Sequence, residues 1–325
     1  MSAPKRSSRR SEVAGERHGV FLVDKPVGLT SHDVVAGVRR IPGVRRAGHA
    51  GTLDPMATGL LLVCVNEATK ASRFLMAGEK EYTASVLLGR ETDTEDITGR
   101  TLRESDCSGI TVARIEKEAA GLVGEQSQVP PMFSAVKQAG VRLHVLARSG
   151  LEVEREPRKV TIHSLTVLEV ALPEVSLRVA CSKGTYIRTL AAELGKRLGC
   201  GATLAGLRRV RSGEFRIEQA VPFTTLLDDG NDAVAHHLLP LTEALSEWTP
   251  LRVDAAEAGR AAHGQPPDAP AGSKPEERVM ILDPGGSLVA LAEVVEERSG
   301  RMRLRTLRVL HGQAPAPKGV KGRPE

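Results

Sequence analysis

The 325-residue chain predicts an α+β protein of two unequal domains. Three observations carry that expectation. Short apolar runs that suit strands alternate with stretches whose apolar residues recur at helical spacing behind residues able to cap a helix. The length accommodates one large domain and one small one. After Leu245 comes Pro250, and then a proline- and glycine-rich loop from Gly264 to Pro275 leads into three further strand-like runs. The expected organisation is a basic arm without structure at 1–17, a large domain at 18–248, a small one at 249–312 and a Pro/Gly/Lys-rich tail without structure at 313–325.

From the N-terminus, Gly19–Lys25 is an apolar strand stopped by Lys25-Pro26. Thr30 with Asp33 three residues on makes a capping box for a helix through Arg40. The stretch Gly48-His49-Ala50-Gly51-Thr52-Leu53-Asp54-Pro55-Met56-Ala57-Thr58-Gly59 follows, and it organises the rest of the chain. Its glycines and Pro55 exclude a helix or a central strand. Pro55 also pushes Asp54 toward extended backbone. The apolar run Leu60–Val65 behind it reads as a buried strand. The loop therefore presents one carboxylate and one imidazole; on spacing alone, a glycine-rich turn with a helix-capping aspartate remains equally open.

Ala68–Met76 suits a short helix, and Lys80–Gly89 alternates like a strand carrying Tyr82, one of two tyrosines. The acidic string GRETDTEDITG fails as a calcium loop, because Ile97 falls on a ligand position and no closing glutamate is at the right distance, so it reads as a turn. Thr111 caps a helix through Val123, Val141–Arg148 reads as a helix, and strands are expected at Lys159–Val170 and Ser176–Cys181. In Ser182–Gly195, Gly184 breaks strand from helix. Ile187, Leu190, Ala191, Leu194 and Leu198 form one buried helical face. Arg188 lies in that helix's first turn, where a cation opposes the helix dipole and calls for a compensating anion. Thr203–Gly213 is a strand rich in arginine, Thr224–Leu245 holds two helical stretches, and Asp254 with Glu257 makes another capping box. The last strands are expected near Arg278–Leu282, Leu288–Val295 and Arg301–Val309.

Net charge is +5, and between Lys183 and Arg216 eight Lys or Arg face two Glu, a local excess of six. This favours a polyanionic partner, although a solvated charged face gives the same pattern. One Trp, two Tyr and five Phe make eight aromatics, too few to grip single-stranded nucleic acid by stacking alone. The four cysteines show no metal spacing; Cys64 and Cys181 sit in apolar runs and read as small buried hydrophobes in a reducing, cytoplasmic compartment. No apolar run approaches membrane-spanning length, and no phosphate loop or dinucleotide fingerprint is present.

The string GHAGTLDPMATGLLLV resembles the catalytic motif of the TruB-type tRNA pseudouridine synthases over twelve consecutive ungapped positions. Further blocks resemble the same family from about Gly19 to about Phe215: DKPxGxTS, the acidic hairpin, PPxxSA, SKGTYIRTL and LRRxxxG. The resemblance implies a mixed, mainly antiparallel sheet flanked by helices, with a small PUA-like RNA-binding β-barrel appended. It implies that Asp54 is the catalytic aspartate, that Arg188 pairs with it, and that Tyr82 stacks on the target base, with a hydroxyl available to handle a proton at the sugar. Leu207 then packs under the base, His49 fills space near the vacated stack, and Lys25, counted with the substrate site, lies with Pro26 beside the catalytic loop and supports it. Tyr186, in the SKGTYIRTL block, belongs to the substrate site, and Arg208 and Arg209 to a phosphate track. An adjacent guanidinium is expected to lower the Asp54 pKa. Phe133 and His144 stand where many relatives carry tyrosine, so polar contacts of those hydroxyls do not carry over. The implied activity is conversion of uridine to pseudouridine at position 55 in the tRNA T-loop, with no cofactor and no metal, by a monomer needing no protein partner. A guide-dependent synthase shares these motifs, and a tRNA-folding chaperone without catalysis is the alternative of another class; the trio Asp54, Tyr82 and Arg188 counts against the latter.

Overall fold

The computed structural model describes residues 18–310 apart from 135, 136, 139 and 152. The arm expected at 1–17 and the tail expected at 313–325 lie outside the described residues.

The first half supplies β1 (Gly19–Lys25), α1 (Ser31–Val38), β2 (Ala47–His49), β3 (Thr58–Val65), β4 (Lys80–Leu88), α2 (Val112–Ala120) and β5 (Gly124–Gln128). There follow β6 (Arg158–Ala171), β7 (Glu174–Cys181), α3 (Ile187–Leu198) and β8 (Ala202–Ser212). The expected caps are in place: Thr30 and Asp33 form a capping box on α1, and the Thr111 side chain accepts from the Arg114 backbone N–H on α2.

These strands form an eleven-stranded sheet whose main path runs from the short strand Val221–Pro222 through β1, β3, β8, β4, β7, β6 and β5. Every pair along the path is antiparallel except Val221–Pro222 with β1 and β3 with β8, so the sheet is mixed and mainly antiparallel, as expected. The β3–β8 junction is short, pairing only Thr58 with Arg208 and Gly59 with Arg209. Gly59 has φ +98°, and a Cβ there would meet the Arg209 carbonyl oxygen at 2.3 Å. Only glycine lets the two backbones come this close. The helix α3 lays its predicted apolar face on β8, and α2 packs on β6 and α3. His49, expected in a loop, instead ends the short strand β2.

The two helical stretches expected at 224–245 are three short helices, α4 (Phe223–Asp228), α5 (Ala233–His237) and α6 (Leu241–Ala244). Beyond them come β9 (Thr249–Arg252), α7 (Ala255–Ala262), β10 (Arg278–Leu282), β11 (Leu288–Glu296) and β12 (Met302–Val309). Pro250, read as a boundary, lies inside β9, an edge strand, where a missing N–H is tolerated. The strands β9 to β12 run in order as an open four-stranded sheet, so among the described residues the expected barrel does not close. The reason lies in α7, which packs against β10, β11 and β12 and covers the apolar face that a second set of strands would otherwise bury. This small unit is docked firmly: Met280, Leu282, Leu288, Leu291 and Leu310 share one buried cluster with Trp248 and with Leu60, Leu62 and Cys64 of β3. No helix among the described residues is long and apolar enough to cross a membrane.

Candidate active site

Where β3, β4 and β8 run side by side, a cleft of about 380 Å³ opens above the sheet. Its lining includes Asp54, Lys80, Tyr82, Tyr186, Arg188 and Leu207. The loop that carries Asp54 is clamped along its backbone. Ser31 Oγ, in the first turn of α1, donates to the Leu53 carbonyl at 3.0 Å and accepts from the Leu53 N–H at 2.8 Å. The Gly28 N–H donates to the Pro55 carbonyl at 2.8 Å, and the Ala57 N–H to that of Asp54 at 3.0 Å. From below, Arg209 donates through Nε to Leu60 at 2.7 Å and through its terminal nitrogens to the carbonyls of Gly51 and Thr52 at 3.1 and 3.3 Å. A carboxylate on backbone held at so many points has little freedom to wander.

Arg188 reaches Asp54 from α3, with Nε 2.9 Å from Oδ2. The pair expected from the sequence is therefore formed, and the Arg188 side chain is only 4% exposed. Arg188 has more partners than expected: a second carboxylate, Asp96, lies 3.5 Å from it, and it donates to the carbonyls of Thr94 and Phe133 at 2.9 and 2.8 Å. Asp96 comes from the acidic string read only as a turn. Its carboxylate also accepts from Thr94 and Thr98, and the residue is 5% exposed. The sequence gives only the place of Arg188 in the first turn of a helix, which calls for a compensating anion and is answered there by Asp54 alone.

Burial pushes the Asp54 carboxyl above its ordinary value, with Arg188 the largest opposing influence and Asp96 adding to the rise. The expected net lowering is thus overturned: desolvation outweighs the guanidinium, which is divided between two carboxylates. Burial likewise raises the Tyr82 phenol, with Arg209 opposing, so the phenol stays protonated at neutral pH. Lys80, on the same strand as Tyr82, is held down to about 8 by burial while donating to the carbonyls of Met76 and Gly78. The sequence reading passed over it as a plain strand residue.

Other site residues fall differently. Tyr186 ends the loop before α3, its N–H donating to Gln128 at 3.0 Å, and lines the cleft with Leu207. Lys25, placed in the substrate site by the sequence reading, is fully buried. Its ammonium donates to the carbonyls of Pro26, Leu29 and Pro55, and burial lowers it to about 8. It supports the loop from within and does not line the cleft. His49 is half-buried opposite Val63 and is also outside the lining. The phosphate track needs the largest correction: Arg209 is 1% exposed, and Arg208 forms a two-point pair with Asp24 at 2.7 and 3.0 Å. Arg188, Arg197 and Arg211 are paired with carboxylates as well, so five of the eight cations between Lys183 and Arg216 serve the fold. Lys183, Lys196 and Arg216 are exposed, and Lys183 lines the cleft. The side chain of His144 lies outside the described residues.

Two family models match the chain: the TruB family pseudouridylate synthase N-terminal domain over residues 39–187, and the tRNA pseudouridylate synthase B C-terminal domain over residues 188–246. The chain is 42% identical over 291 residues to a tRNA pseudouridine synthase B of Syntrophotalea carbinolica, covering 88% of this chain and 95% of that protein. A protein of the same name from Geobacter sulfurreducens is 42% identical over 313 residues, covering 90% and 99%. Among solved structures, a chain of the archaeal box H/ACA sRNP Nop10-Cbf5 complex superimposes with a TM-score of 0.68 at 27% identity, covering 94% of this chain and 90% of that one.

Proposed function

The chain belongs to the TruB family of pseudouridylate synthases, and from that premise we propose that it isomerises uridine to pseudouridine at position 55, in the T-loop of tRNA. The observation that carries this reading is the meeting of Asp54, Arg188, Tyr82 and Leu207 in one cleft.

The reaction breaks the C1′–N1 bond, turns the uracil, and joins C1′ to C5, which gives up its proton. It is redox-neutral and adds no atom. Three needs follow: a carboxylate to act on the nucleotide, a place for the extruded base, and exclusion of water. Asp54 serves the first. Its stiff backbone and its Arg188 contact hold Oδ2, and the carboxylate, 33% exposed, lines the cleft that would take the nucleotide. Extruding a base costs a few kcal/mol, and stacking on an aromatic returns about 1–3 kcal/mol. Tyr82 is the stacking partner and Leu207 the apolar floor; they come from adjacent strands, with Tyr82 paired to Arg209 and Ala84 to Leu207. Tyr186 closes the wall on the α3 side. Lys183 is the cation at the rim that meets phosphate.

The stand-alone reading is favoured over a guide-dependent one because relatives at 42% identity span almost their full length here, whereas the Cbf5 chain lies at 27%. On this reading the enzyme works on the T-arm in the cytoplasm as a monomer, and the open four-stranded unit at 249–310 adds to its RNA surface. The test is to incubate an unmodified tRNA transcript, tritiated at uridine C5, with the purified protein alone. One equivalent of tritium per transcript should be released by the wild type and none by Asp54→Asn. No release, or release that persists when the T-loop uridine is replaced by cytidine, would overturn the assignment.

A further inference from the structure

Away from the cleft, α4 ends at Asp228, and Asp229 caps it with its N–H on the Thr225 carbonyl. Gly230 then takes φ +48°, and the Asp232 N–H bonds back to the Asp229 carbonyl at 2.9 Å. The chain reverses within four residues, and α5 brings two consecutive histidines, His236 and His237, back over the Asp229 side chain. His237 Nε2 lies 2.5 Å from Asp229 Oδ2, and one potential ligand atom from each of the three residues lies within 4.8 Å of the others. The imidazoles stand edge to face, with centroids 6.0 Å apart.

From this geometry we infer that Asp229, His236 and His237 form a binding site for a zinc-type transition-metal dication. Two imidazoles and a carboxylate are the nitrogen and oxygen donors such an ion takes, and three protein ligands leave a fourth position for water. Without an ion, the His237–Asp229 contact is a hydrogen bond. With ligands at about 2.0–2.1 Å in a tetrahedron, the two donor atoms would stand ~3.3 Å apart. That needs a side-chain adjustment only, and these side chains are 25% and 31% exposed. None of the three lines the Asp54 cleft. The ion would therefore fasten α5 to α4, and α4 packs on α1, the helix whose Ser31 holds the Asp54 loop. The spacing, one aspartate followed seven residues later by paired histidines, matches no short metal signature, so a reading of Cys and His spacing does not find it.

The experiment uses the full chain without an affinity tag, stripped with chelator and titrated with Zn²⁺ by calorimetry and by thermal melting. Co²⁺ serves as a spectroscopic probe of four-coordinate binding. One equivalent should bind, with a Tm rise of about 5 °C at a hundredfold excess over Kd. His236→Ala, His237→Ala and Asp229→Asn should each weaken binding at least tenfold and cut the Tm rise at the same Zn²⁺ concentration to about half or less, while His236→Ala without Zn²⁺, at an exposed residue, melts like the stripped wild type. Absence of stoichiometric binding overturns the site. So does binding that all three variants retain, which would locate the ion elsewhere.

Discussion

The floor of the cleft and the outer face of the C-terminal sheet are both built from arginine paired with carboxylate, yet the pairs do different things. In the cleft Arg188 is 4% exposed and is shared by Asp54, Asp96 and two backbone carbonyls. On β11 and β12, Arg305 meets Glu293 at 2.5 Å with 63% of its side chain in solvent, and Arg303 meets Glu297 at 2.8 Å. A buried guanidinium has given up its water and, if lost, strands both carboxylates that it serves, whereas an exposed pair exchanges one set of hydrogen bonds for another. The first fixes atoms in place; the second decorates a surface. Substitutions at the two places should therefore differ in kind.

The largest effect expected is on turnover in Asp54→Asn, which should fall to background while tRNA binding stays within about tenfold, since affinity is spread over many phosphate contacts. Stability should behave in the opposite way. The Asp54 carboxyl is raised above its ordinary value of 3.8, so the folded state holds the proton more tightly than the unfolded one. Stability then falls as pH rises from the unfolded value through the folded one, and the penalty is complete above it. Asn carries no such penalty. Asp54→Asn should melt no lower than the wild type at neutral pH, with the difference vanishing below about pH 4. The acid limb of wild-type kcat/KM should lie above the ordinary aspartate value. A variant that melts well below the wild type at neutral pH would contradict the direction of the shift.

Next in size is Arg188→Met, which leaves Asp54 and Asp96 facing each other without their shared cation. Breaking a buried pair in this way costs about 3–5 kcal/mol, and urea unfolding should show it together with loss of most turnover. In the Asp54→Asn background the same change should cost less, because one of the two carboxylates is gone. Additive effects in that cycle would mean the contact has no energetic content. Arg188→Lys should recover stability more than turnover, since an ammonium lacks the planar fork that meets Asp54 and Asp96 together.

How much of this was legible in the chain depends on how local each signal is. The Thr30 and Thr111 caps and the apolar period of α3 are decided by neighbours in sequence and appear where expected, whereas the glycine-rich stretch around Asp54 gives both its ends, Gly48-His49 and Thr58-Gly59, to strands. The Asp54–Arg188 contact followed from a motif resemblance and from the awkward place of a cation at a helix start. What stayed hidden depends on long-range packing. Asp96 looks like any acidic turn until the fold brings Arg188 onto it. Arg208 and Arg209 look like a phosphate track until β8 is laid beside β3, which turns one to Asp24 and buries the other under the loop. The barrel failed for a similar reason: strand count is visible in the sequence, but coverage of one face by α7 is not.

Arg209 and Arg208 sharpen the comparison within two residues of one strand. Arg209→Met removes the donors holding two loop carbonyls and one on β3 and should cost about 2 kcal/mol or more, with kcat falling at least tenfold as Asp54 loosens. Arg208→Gln breaks a pair whose members are 40% and 29% exposed and should cost under about 1 kcal/mol. Neither should change the salt dependence of tRNA binding. Lys183→Gln, at the rim of the cleft, should flatten that log–log slope by about one unit. A flattened slope in Arg208→Gln with no change in Lys183→Gln would put the phosphate contact back on the strand.

The smallest effect is expected at Arg305. Its partner Glu293 sits directly across the β11–β12 ladder, where opposite charges attract but water competes for both. Arg305→Gln should shift stability by no more than about 0.5 kcal/mol, and a cycle with Glu293→Gln should return a coupling inside the usual 0.2–1 kcal/mol for exposed pairs. Raising salt from low to molar concentration should erase most of that coupling while weakening the Asp54–Arg188 coupling less, because the Arg188 side chain is 4% exposed although that of Asp54 is 33% exposed in the cleft. The two cycles run side by side thus test one idea. If the Arg305–Glu293 coupling matches that of the cleft pair, or survives high salt as well, then burial is not what separates a positioning arginine from a surface one in this protein.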